Sequence, residues 1–366
     1  MKFKFFLGVI LLGSIVVGCQ KSKIDSDKTI DLNKFPSHVQ CEIDTNLKVD
    51  ATVEAPSNTI YSIYYAKEDI KEIDLLKNVF FDGADVVENI NSDREYSISK
   101  DDCYAGYYGR TYYYQTEYMM NQDVAIRLLN QDSDNIFYSY PINLNRIDTV
   151  DAIDQVRRED AVELVRQKAQ MLGLTLEQQP YVIAGIEGTA MESYIKENCT
   201  IERIESLGIK ENWSEEDDFI YMLWNCMLDG VELYNDNWNT NYVSGIEPIG
   251  TSVIACVNKN GIIGMFTGAM YSIEREKEKD VSLKVDLDDI YDVIKNQYRN
   301  IILTDELVVK DIRFCYVPDE SNYEKKEYEM VPAWVVFITE ESDENGEYNS
   351  RSGNLIKINA ITGEVL

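Results

Sequence analysis

The second half of the chain contains one pattern twice, and this repetition limits the possible folds more than any other feature. Amphipathic patterns at about 152–173 and about 287–301 each predict a helix with one apolar face. Three or four strand-like runs follow each helix, and the last turn of each copy contains a glycine, Gly261 or Gly363. The pattern predicts an α+β fold with antiparallel sheets that are each crossed by a helix.

The apolar spacing also predicts which side chains the two helices bury. They are Val162, Val165, Ala169 and Leu172 in the first helix and Leu287, Ile290, Ile294 and Ile301 in the second. These positions recur every three or four residues, so they share one helix face. Asp286 is a suitable N-cap for the second helix, and Gly173 is a suitable end for the first. We therefore expect each helix to lie against its own sheet.

The strand segments of both copies resemble PepSY-type and related propeptide domains. The resembling residues are Phe219–Tyr234 with Val253–Ile262 in the first copy and Pro332–Phe337 with Ile358–Val365 in the second. The resemblance implies two PepSY-like modules. Their paired arrangement is also similar to the extracytoplasmic regulators YycH and YycI, which restrain a membrane sensor kinase. The whole chain looks like lipoproteins of Gram-positive anaerobes, for which no activity is implied.

The region before the repeat is expected to form its own α+β domain, rich in tyrosine. The sequence there predicts a helix at about 67–80 and strands that include about 104–118 and about 123–129. The whole chain is then divided into a signal peptide at 1–18, a tether at 19–35, the Tyr-rich domain at 36–150, and PepSY-like modules at 151–275 and 276–366.

The N-terminus has the organisation of a secretory signal. Lys2 and Lys4 precede an apolar run, Phe5–Val17, which is shorter than the roughly 20 residues of a membrane-spanning helix. The segment Val16–Cys19 reads Val-Val-Gly-Cys and resembles the lipobox of bacterial lipoproteins. This resemblance implies cleavage before Cys19 and a diacylglycerol on its sulfur, with acyl chains such as palmitate. We expect a lipoprotein anchored in the cell membrane on the extracytoplasmic face.

The chain is strongly acidic, with 65 acidic residues against 35 basic ones and a formal net charge of −30. Because lysine and arginine drive binding to phosphate, this balance excludes a nucleic-acid partner. It also repels anionic lipid headgroups, so the domains should stand away from the membrane surface. One interpretation of the acidic surface is that it keeps the protein soluble. The other is that it binds a cationic partner or, weakly, calcium.

Six cysteines follow Cys19, without the short spacings of a metal or redox motif. Cys226, Cys256 and Cys315 lie in apolar, strand-like runs, where cysteine acts as a small hydrophobic residue. We favour mostly free thiols, although the cysteines of an exported protein can become oxidised. The sequence does not determine which cysteines would then pair.

Tyrosine is dense between residues 104 and 118. One interpretation is a Tyr-rich sheet face, since tyrosine favours strands. The other is an aromatic surface that binds a peptide or a sugar, because tyrosine is enriched where binding energy concentrates. The candidate binding residues are Tyr107, Tyr108, Tyr112 and Tyr114.

Residues for catalysis are scarce in this sequence. The chain has one histidine, His38, which argues against a His-dependent triad or a His-rich metal site. Ser97–Lys100 matches the serine acylase pattern SxxK, but no KTG follows it. Asp343–Gly346 is more typical of a hairpin tip than of a calcium loop. We predict no cofactor and no metal site, while the many carboxylates leave a hidden hydrolase pair open.

The leading hypothesis is a lipid-anchored extracytoplasmic binding or regulatory protein without catalytic activity. Its expected partners are the membrane, through the diacylglycerol on Cys19, and a protein or peptide. One alternative is a cell-wall-directed hydrolase that uses carboxylates, and another is a protease inhibitor.

Overall fold

The computed structural model describes residues 28–366 apart from 70, 93–94, 109–110, 130–141, 143, 235–251, 269, 320–326 and 341–353. The expected signal peptide, Cys19, the first part of the tether and the turn Asp343–Gly346 therefore lie outside the described residues. Among the residues described, most of the regular structure is strand, and it forms two sheets with helices packed against them. The expected α+β class with antiparallel-rich sheets is confirmed.

The helices and strands are numbered along the chain. The helices are α1 (Ile73–Phe81), α2 (Glu117–Leu128), α3 (Arg158–Met171), α4 (Gly188–Asn198), α5 (Ile201–Leu207) and α6 (Leu287–Tyr298). Sheet A contains β1 (His38–Asp44), β2 (Leu47–Glu54), β3 (Ile60–Glu68), β10 (Met227–Leu228), β11 (Val231–Leu233), β14 (Tyr271–Ser282), β15 (Leu307–Asp319), β16 (Glu327–Glu340) and β17 (Asn354–Asn359). Sheet B contains β4 (Val87–Ser92), β5 (Glu95–Lys100), β6 (Cys103–Tyr108), β7 (Thr111–Thr116), β8 (Val182–Ile186), β9 (Phe219–Asn225), β12 (Ser252–Asn258) and β13 (Gly261–Thr267).

Sheet A is built around the long antiparallel pair of β15 and β16. Its main order is β1-β2-β15-β16-β3-β14, with β17 also on β16 and β11 also on β15. The strands β2 and β11 run parallel to β15, and the remaining pairs are antiparallel. One face of the sheet carries the core that α6 completes, in which Trp334 stacks on Phe35 with ring centroids 5.1 Å apart.

Sheet B has the order β4-β5-β6-β7-β13-β12-β9-β8, and every pair in it is antiparallel. The helices α1 and α3 contact each other and pack on one face, which we call the inner face. The helices α2, α4 and α5 contribute to a separate core on the outer face. Both faces therefore contain apolar clusters, as expected for a sheet between two layers.

A helix followed by a sequential antiparallel meander occurs three times in the part of the chain that the structure describes. Unit 1 (73–116) consists of α1 and β4 to β7, and unit 2 (158–267) consists of α3 with β8, β9, β12 and β13. Unit 3 (287–366) consists of α6 with β15, β16 and β17, after which Val365 forms a bridge to Ile358. In each unit the helix contacts the third strand of its own meander. Units 1 and 2 join through their last strands, β7 and β13, to make sheet B.

The predicted helix faces agree closely with the burial that the structure shows. All four residues predicted for the first helix are buried, as are Ile290 and Ile294 in the second. Leu287 is partly buried against the core. The prediction for Ile301 was wrong, because α6 ends at Tyr298 and leaves this side chain 55% exposed.

The N-terminal region contributes to both sheets, where a separate domain at 36–150 was expected. Its first three strands complete sheet A, and its next four form half of sheet B. The strand expected at about 123–129 is part of α2. The sequence there alternates like a strand, but the buried residues Met119, Ala125, Ile126 and Leu129 recur with helical spacing.

Candidate functional site

Two of the four candidate binding tyrosines lie inside the molecule. Tyr107 and Tyr112 are each 2% exposed and point to the inner face of sheet B, where their rings lie 4.9 Å apart. The Tyr112 hydroxyl donates to the Asp69 carbonyl at 2.7 Å, and Tyr96 donates to the Lys71 carbonyl at 2.6 Å. Burial raises the pKa of Tyr112, so this phenol stays protonated. These rings hold the segment before α1 against the sheet.

The other two candidates lie on opposite faces of the sheet. Tyr114 stacks parallel on Phe80 of α1, with ring centroids 4.7 Å apart, so it belongs to the inner core. Tyr108 is 64% exposed and points to the outer face, because consecutive residues of a strand alternate between faces. The structure therefore brings Tyr107, Tyr112 and Tyr114 together in the core and leaves Tyr108 on the surface.

Two tyrosines that were not among the candidates accompany Tyr108 on the outer face. Tyr104 lies on β6, four residues before Tyr108, and Tyr113 lies on β7 opposite Gly106. An added Cβ at Gly106 would be 2.7 Å from the Tyr113 hydroxyl, so this glycine makes room for the ring. We call Tyr104, Tyr108 and Tyr113 the tyrosine face. Two-residue alternation within β6 and within β7, combined with the pairing of Tyr108 with Thr111, was the signal that could have identified it.

The surroundings of the tyrosine face are polar, and they include one carboxylate, Glu95, which lies directly opposite Tyr108. The Tyr113 hydroxyl hydrogen-bonds the Ser97 side chain, and burial raises the pKa of this phenol. Ser99 and Gln115 stand beside Tyr104 on the neighbouring strands, and all of these side chains keep partial exposure. Such a surface offers aromatic rings for packing together with hydroxyl and amide groups for hydrogen bonds. It is suited to binding a partner.

A charged cluster lies buried on the other side of the molecule, between sheet A and the start of β8. The Arg313 side chain donates to Asp311, and its Nη1 lies 3.7 Å from Glu232 Oε2. The guanidinium also stands over the Tyr181 ring, 5.8 Å from its centroid, and Glu54 is the strand neighbour of Arg313. Nothing in the sequence pattern identified this cluster, because its members come from separate strands.

Burial shifts the proton equilibria of this arginine–carboxylate cluster. Burial raises the pKa of Glu232 to about 7, and Glu54 and Glu177 add to the rise while Arg313 opposes it. Burial also raises the pKa of Asp311 to about 8, with Glu54 and Glu232 adding. Raised carboxyl pKa values occur in glycosidase acids. Here, however, Asp311 is 6% exposed and Arg313 is 7% exposed, so a polymeric substrate has no direct access.

The remaining catalytic candidates lie apart from one another. His38 is exposed on β1, where its Nε2 is 3.2 Å from Asp50 Oδ1. Ser97 and Lys100 are three residues apart on the extended strand β5, so their side chains point to opposite faces of the sheet. This geometry does not place a lysine amine beside the serine, as an SxxK acylase requires. Within the described residues, no group of three or more His, Cys, Asp or Glu side chains is arranged to hold a metal ion.

The cysteines take the positions that the sequence indicated. Cys226, Cys256 and Cys315 are buried, and burial raises the pKa of Cys226 to about 12. Buried thiols of this kind are poor nucleophiles because the reactive form is the thiolate.

In the described part of the chain, no helix is both long and apolar enough to cross a membrane.

Comparison with known proteins identifies the fold but not a family. No protein-family model and no curated protein matches this chain. Among solved structures, the chain is similar to an uncharacterized protein from Eubacterium rectale ATCC 33656, with a TM-score of 0.59 and 13% sequence identity. The similarity covers 93% of this chain and 96% of that one, so it extends over both sheets and shows the same overall fold.

Proposed function

We propose that this protein is a lipid-anchored, extracytoplasmic binding protein that holds a polypeptide partner on the tyrosine face. The observation that carries the proposal is the exposure of this aromatic surface on one half of sheet B. The Tyr108 ring is 64% exposed, and Tyr104 and Tyr113 are partly exposed beside it. Tyrosine is over-represented among the residues that dominate protein–protein binding energy.

The chemistry of the partner follows from charge and polarity. The net charge of −30 disfavours nucleic acid and anionic wall polymers at any surface of this chain. Ser97 and Gln115 provide neutral hydrogen-bonding groups that suit peptide groups. A neutral glycan could use similar contacts, and it is the competing outcome in the experiment below.

The proposed anchor would keep the fold close to the membrane. Ile30 is already buried in the core of sheet A, and Lys28 forms an ion pair with Asp286 at 2.8 Å and a second one with Asp289. Eight residues lie between Cys19 and Lys28, and the distance between these two can reach about 30 Å at most. Lys28 and Ile30, which fall in the expected tether 19–35, are part of the fold. Two acyl chains on Cys19 would suffice for stable anchoring.

The variant Cys19→Ser tests the anchor independently of the binding surface. Replacement of Cys19 by Ser removes the thiol that carries the lipid, so we expect uncleaved precursor or released protein instead of a mature product in the detergent phase. Detergent partitioning and the size of the product measure this. A mature-sized Cys19→Ser product that still partitions into detergent would show that the lipobox assignment is wrong.

Site-specific cross-linking tests the binding surface. A photoreactive amino acid is placed at Tyr108 of the membrane-anchored chain, and at Ile302 as a control, because Ile302 is 91% exposed and its neighbour Leu303 packs against the core of sheet A. We expect a discrete polypeptide adduct from position 108 that is absent from position 302. Equal capture at both positions, or adducts to glycan alone, would contradict the proposal.

A further inference from the structure

The strand β4 has a free edge at the end of sheet B. Of the described strands, β5 alone pairs with β4. All six residues of β4 are exposed, including Val87 at 71% and Ile90 at 59%. An unpaired edge presents a row of backbone N–H and C=O groups that can pair with another chain. Six residues give a strand of about 20 Å, which is an ordinary length for such pairing.

The corresponding edges of the other two units are covered. The first strand of unit 3, β15, is flanked by β2 along one part and by β11 along another. The first strand of unit 2, β8, is flanked by Val150, which exchanges two backbone hydrogen bonds of 2.9 Å with Gly185. Gly185 permits this approach, because an added Cβ would be 2.8 Å from Val150. The first strand therefore has backbone pairing on its second side in units 2 and 3, at one residue in unit 2 and along two strands in unit 3, whereas no described strand pairs with the second side of β4.

The sequence of β4 does little to protect this edge. Edge strands are often protected by lysine, proline or inward-pointing charge. The sequence of β4, Val-Glu-Asn-Ile-Asn-Ser, has no lysine or proline; Glu88 is its one inward-pointing charge, and its one irregularity lies between Ile90 and Ser92. A regular stretch from Val87 to Ile90 therefore remains available for pairing.

The charges around β4 indicate which net charge an added strand should carry. Glu88 lies on the strand itself, Asp85 precedes it, and Glu95 begins the neighbouring strand. Lys100 is a basic residue at the end of β5, and Asp101 lies 3.9 Å from its Nζ. A second copy of a chain with a net charge of −30 would be repelled from such an edge, whereas a basic segment would be attracted.

We infer that β4 receives an extended, basic segment of the partner polypeptide as an additional strand of sheet B. This inference rests on the proposed function and names how the partner binds. Glu88 and Ile90 share the inner face with Ile98 and Tyr96, and Val87 and Asn89 share the outer face with the tyrosine face. A lysine of the added strand would stand beside Glu88, and apolar residues would stand beside Val87 and Ile90.

The probe is a synthetic peptide of about ten residues in which every fourth residue is lysine and the others are valine or threonine, so that lysine can stand beside Glu88 while an apolar residue stands beside Ile90. Fluorescence anisotropy measures its binding to the purified chain. We expect Glu88→Lys and Ile90→Lys each to weaken binding by at least about tenfold, equivalent to about 1.4 kcal/mol. The control matched to Ile90→Lys is Ile302→Lys, which adds the same single charge at an exposed apolar site between α6 and β15 and should leave binding unchanged.

A backbone-methylated version of the peptide separates strand addition from attraction between charges. It carries the same lysines but lacks alternate N–H donors, so strand pairing predicts binding weaker by at least about tenfold. Equal binding of the two peptides, or equal binding by all variants, would overturn the inference. If the peptide binds β4 as expected but position 108 gives no polypeptide adduct in membranes, only the proposed function is contradicted. Circular dichroism melting confirms that each variant is folded.

Discussion

Units 1 and 2 have the same helix-and-meander organisation but differ in how much of their surface is covered. Every residue of β9 and β12 in unit 2 is buried, whereas every residue of β4 in unit 1 is exposed. The outer face of unit 2 packs in the core that contains α2, α4 and α5, while the tyrosine face of unit 1 keeps partial exposure. Val150 pairs with Gly185 at the edge of β8, whereas no second described strand pairs with β4.

The difference indicates that the two halves of sheet B have different roles. Unit 2 uses both faces and its edge for internal packing, which stabilises the fold. Unit 1 uses only its inner face for this purpose, so its outer face and edge are available to a partner. The exposed apolar and aromatic residues of unit 1 are concentrated around β4 and β6, as expected for an interaction surface.

The largest expected effect comes from placing the same charge in the two units. Val165 on α3 is 0% exposed, so Val165→Asp buries an unpaired carboxylate and should lower the free energy of unfolding by about 4 kcal/mol or more. Val87→Asp is the matched variant on the bare edge and should change it by about 0.5 kcal/mol or less. Urea unfolding measures both. Similar losses in the two variants would show that the β4 edge is covered.

The covered edge of unit 2 provides a second, smaller contrast. Gly185→Ala puts a Cβ 2.8 Å from Val150, so it should push this segment away and lower the free energy of unfolding by about 1–3 kcal/mol. Asn89→Ala, at an exposed position of β4, should have almost no effect. Thermal melts measure the difference. A Gly185→Ala protein that melts like its parent would remove the evidence that pairing with Val150 matters.

The arginine–carboxylate cluster connects unit 2 to sheet A and gives the third prediction. The pKa of Glu232 is raised to about 7 in the folded chain, so the folded state holds this proton more tightly than the unfolded state. Stability from this group is therefore present at low pH and is lost as pH rises from about 4.5 through 7. Glu232→Gln should raise the free energy of unfolding at pH 8 by on the order of 2 kcal/mol, and by almost nothing near pH 4.

Urea unfolding of parent and variant across this pH range measures the difference. The comparison between the two proteins cancels the carboxylates whose pKa is lowered, such as Asp50 and Asp229. A Glu232→Gln protein that is less stable than its parent at pH 8 would show that the ionised pair with Arg313 is favourable, contrary to the prediction.

The sequence predicted the features that depend on periodicity within one element. Helix spacing correctly identified Val162, Val165, Ala169 and Leu172 as buried, and the apolar runs around Cys226 and Cys256 are buried as expected. Features that depend on a single residue of register were harder, because a shift by one position exchanges the faces of a strand. This is why the partly exposed rings of Tyr104 and Tyr113 were missed.

Long-range pairing could not be read from the sequence. The region 36–150 is continuous along the chain, but β2 and β3 pair with β15 and β16, more than two hundred residues away. Likewise Asp311, Arg313 and Glu232 become a cluster only when β11 pairs with β15. No local pattern contains this information, since the pairing depends on how separate apolar strands fit together.

Hydrogen exchange of backbone amides in the two outermost strands of sheet B tests the central claim most directly. In the purified chain, the Gly185 amide of β8 should be protected by its hydrogen bond to Val150, whereas the outward-facing amides of β4 should exchange rapidly. Addition of the basic peptide probe should slow exchange in β4 and leave β8 unchanged. If β4 is as protected as β8 before the probe is added, or stays unprotected in its presence, unit 1 does not provide the open edge on which the account depends.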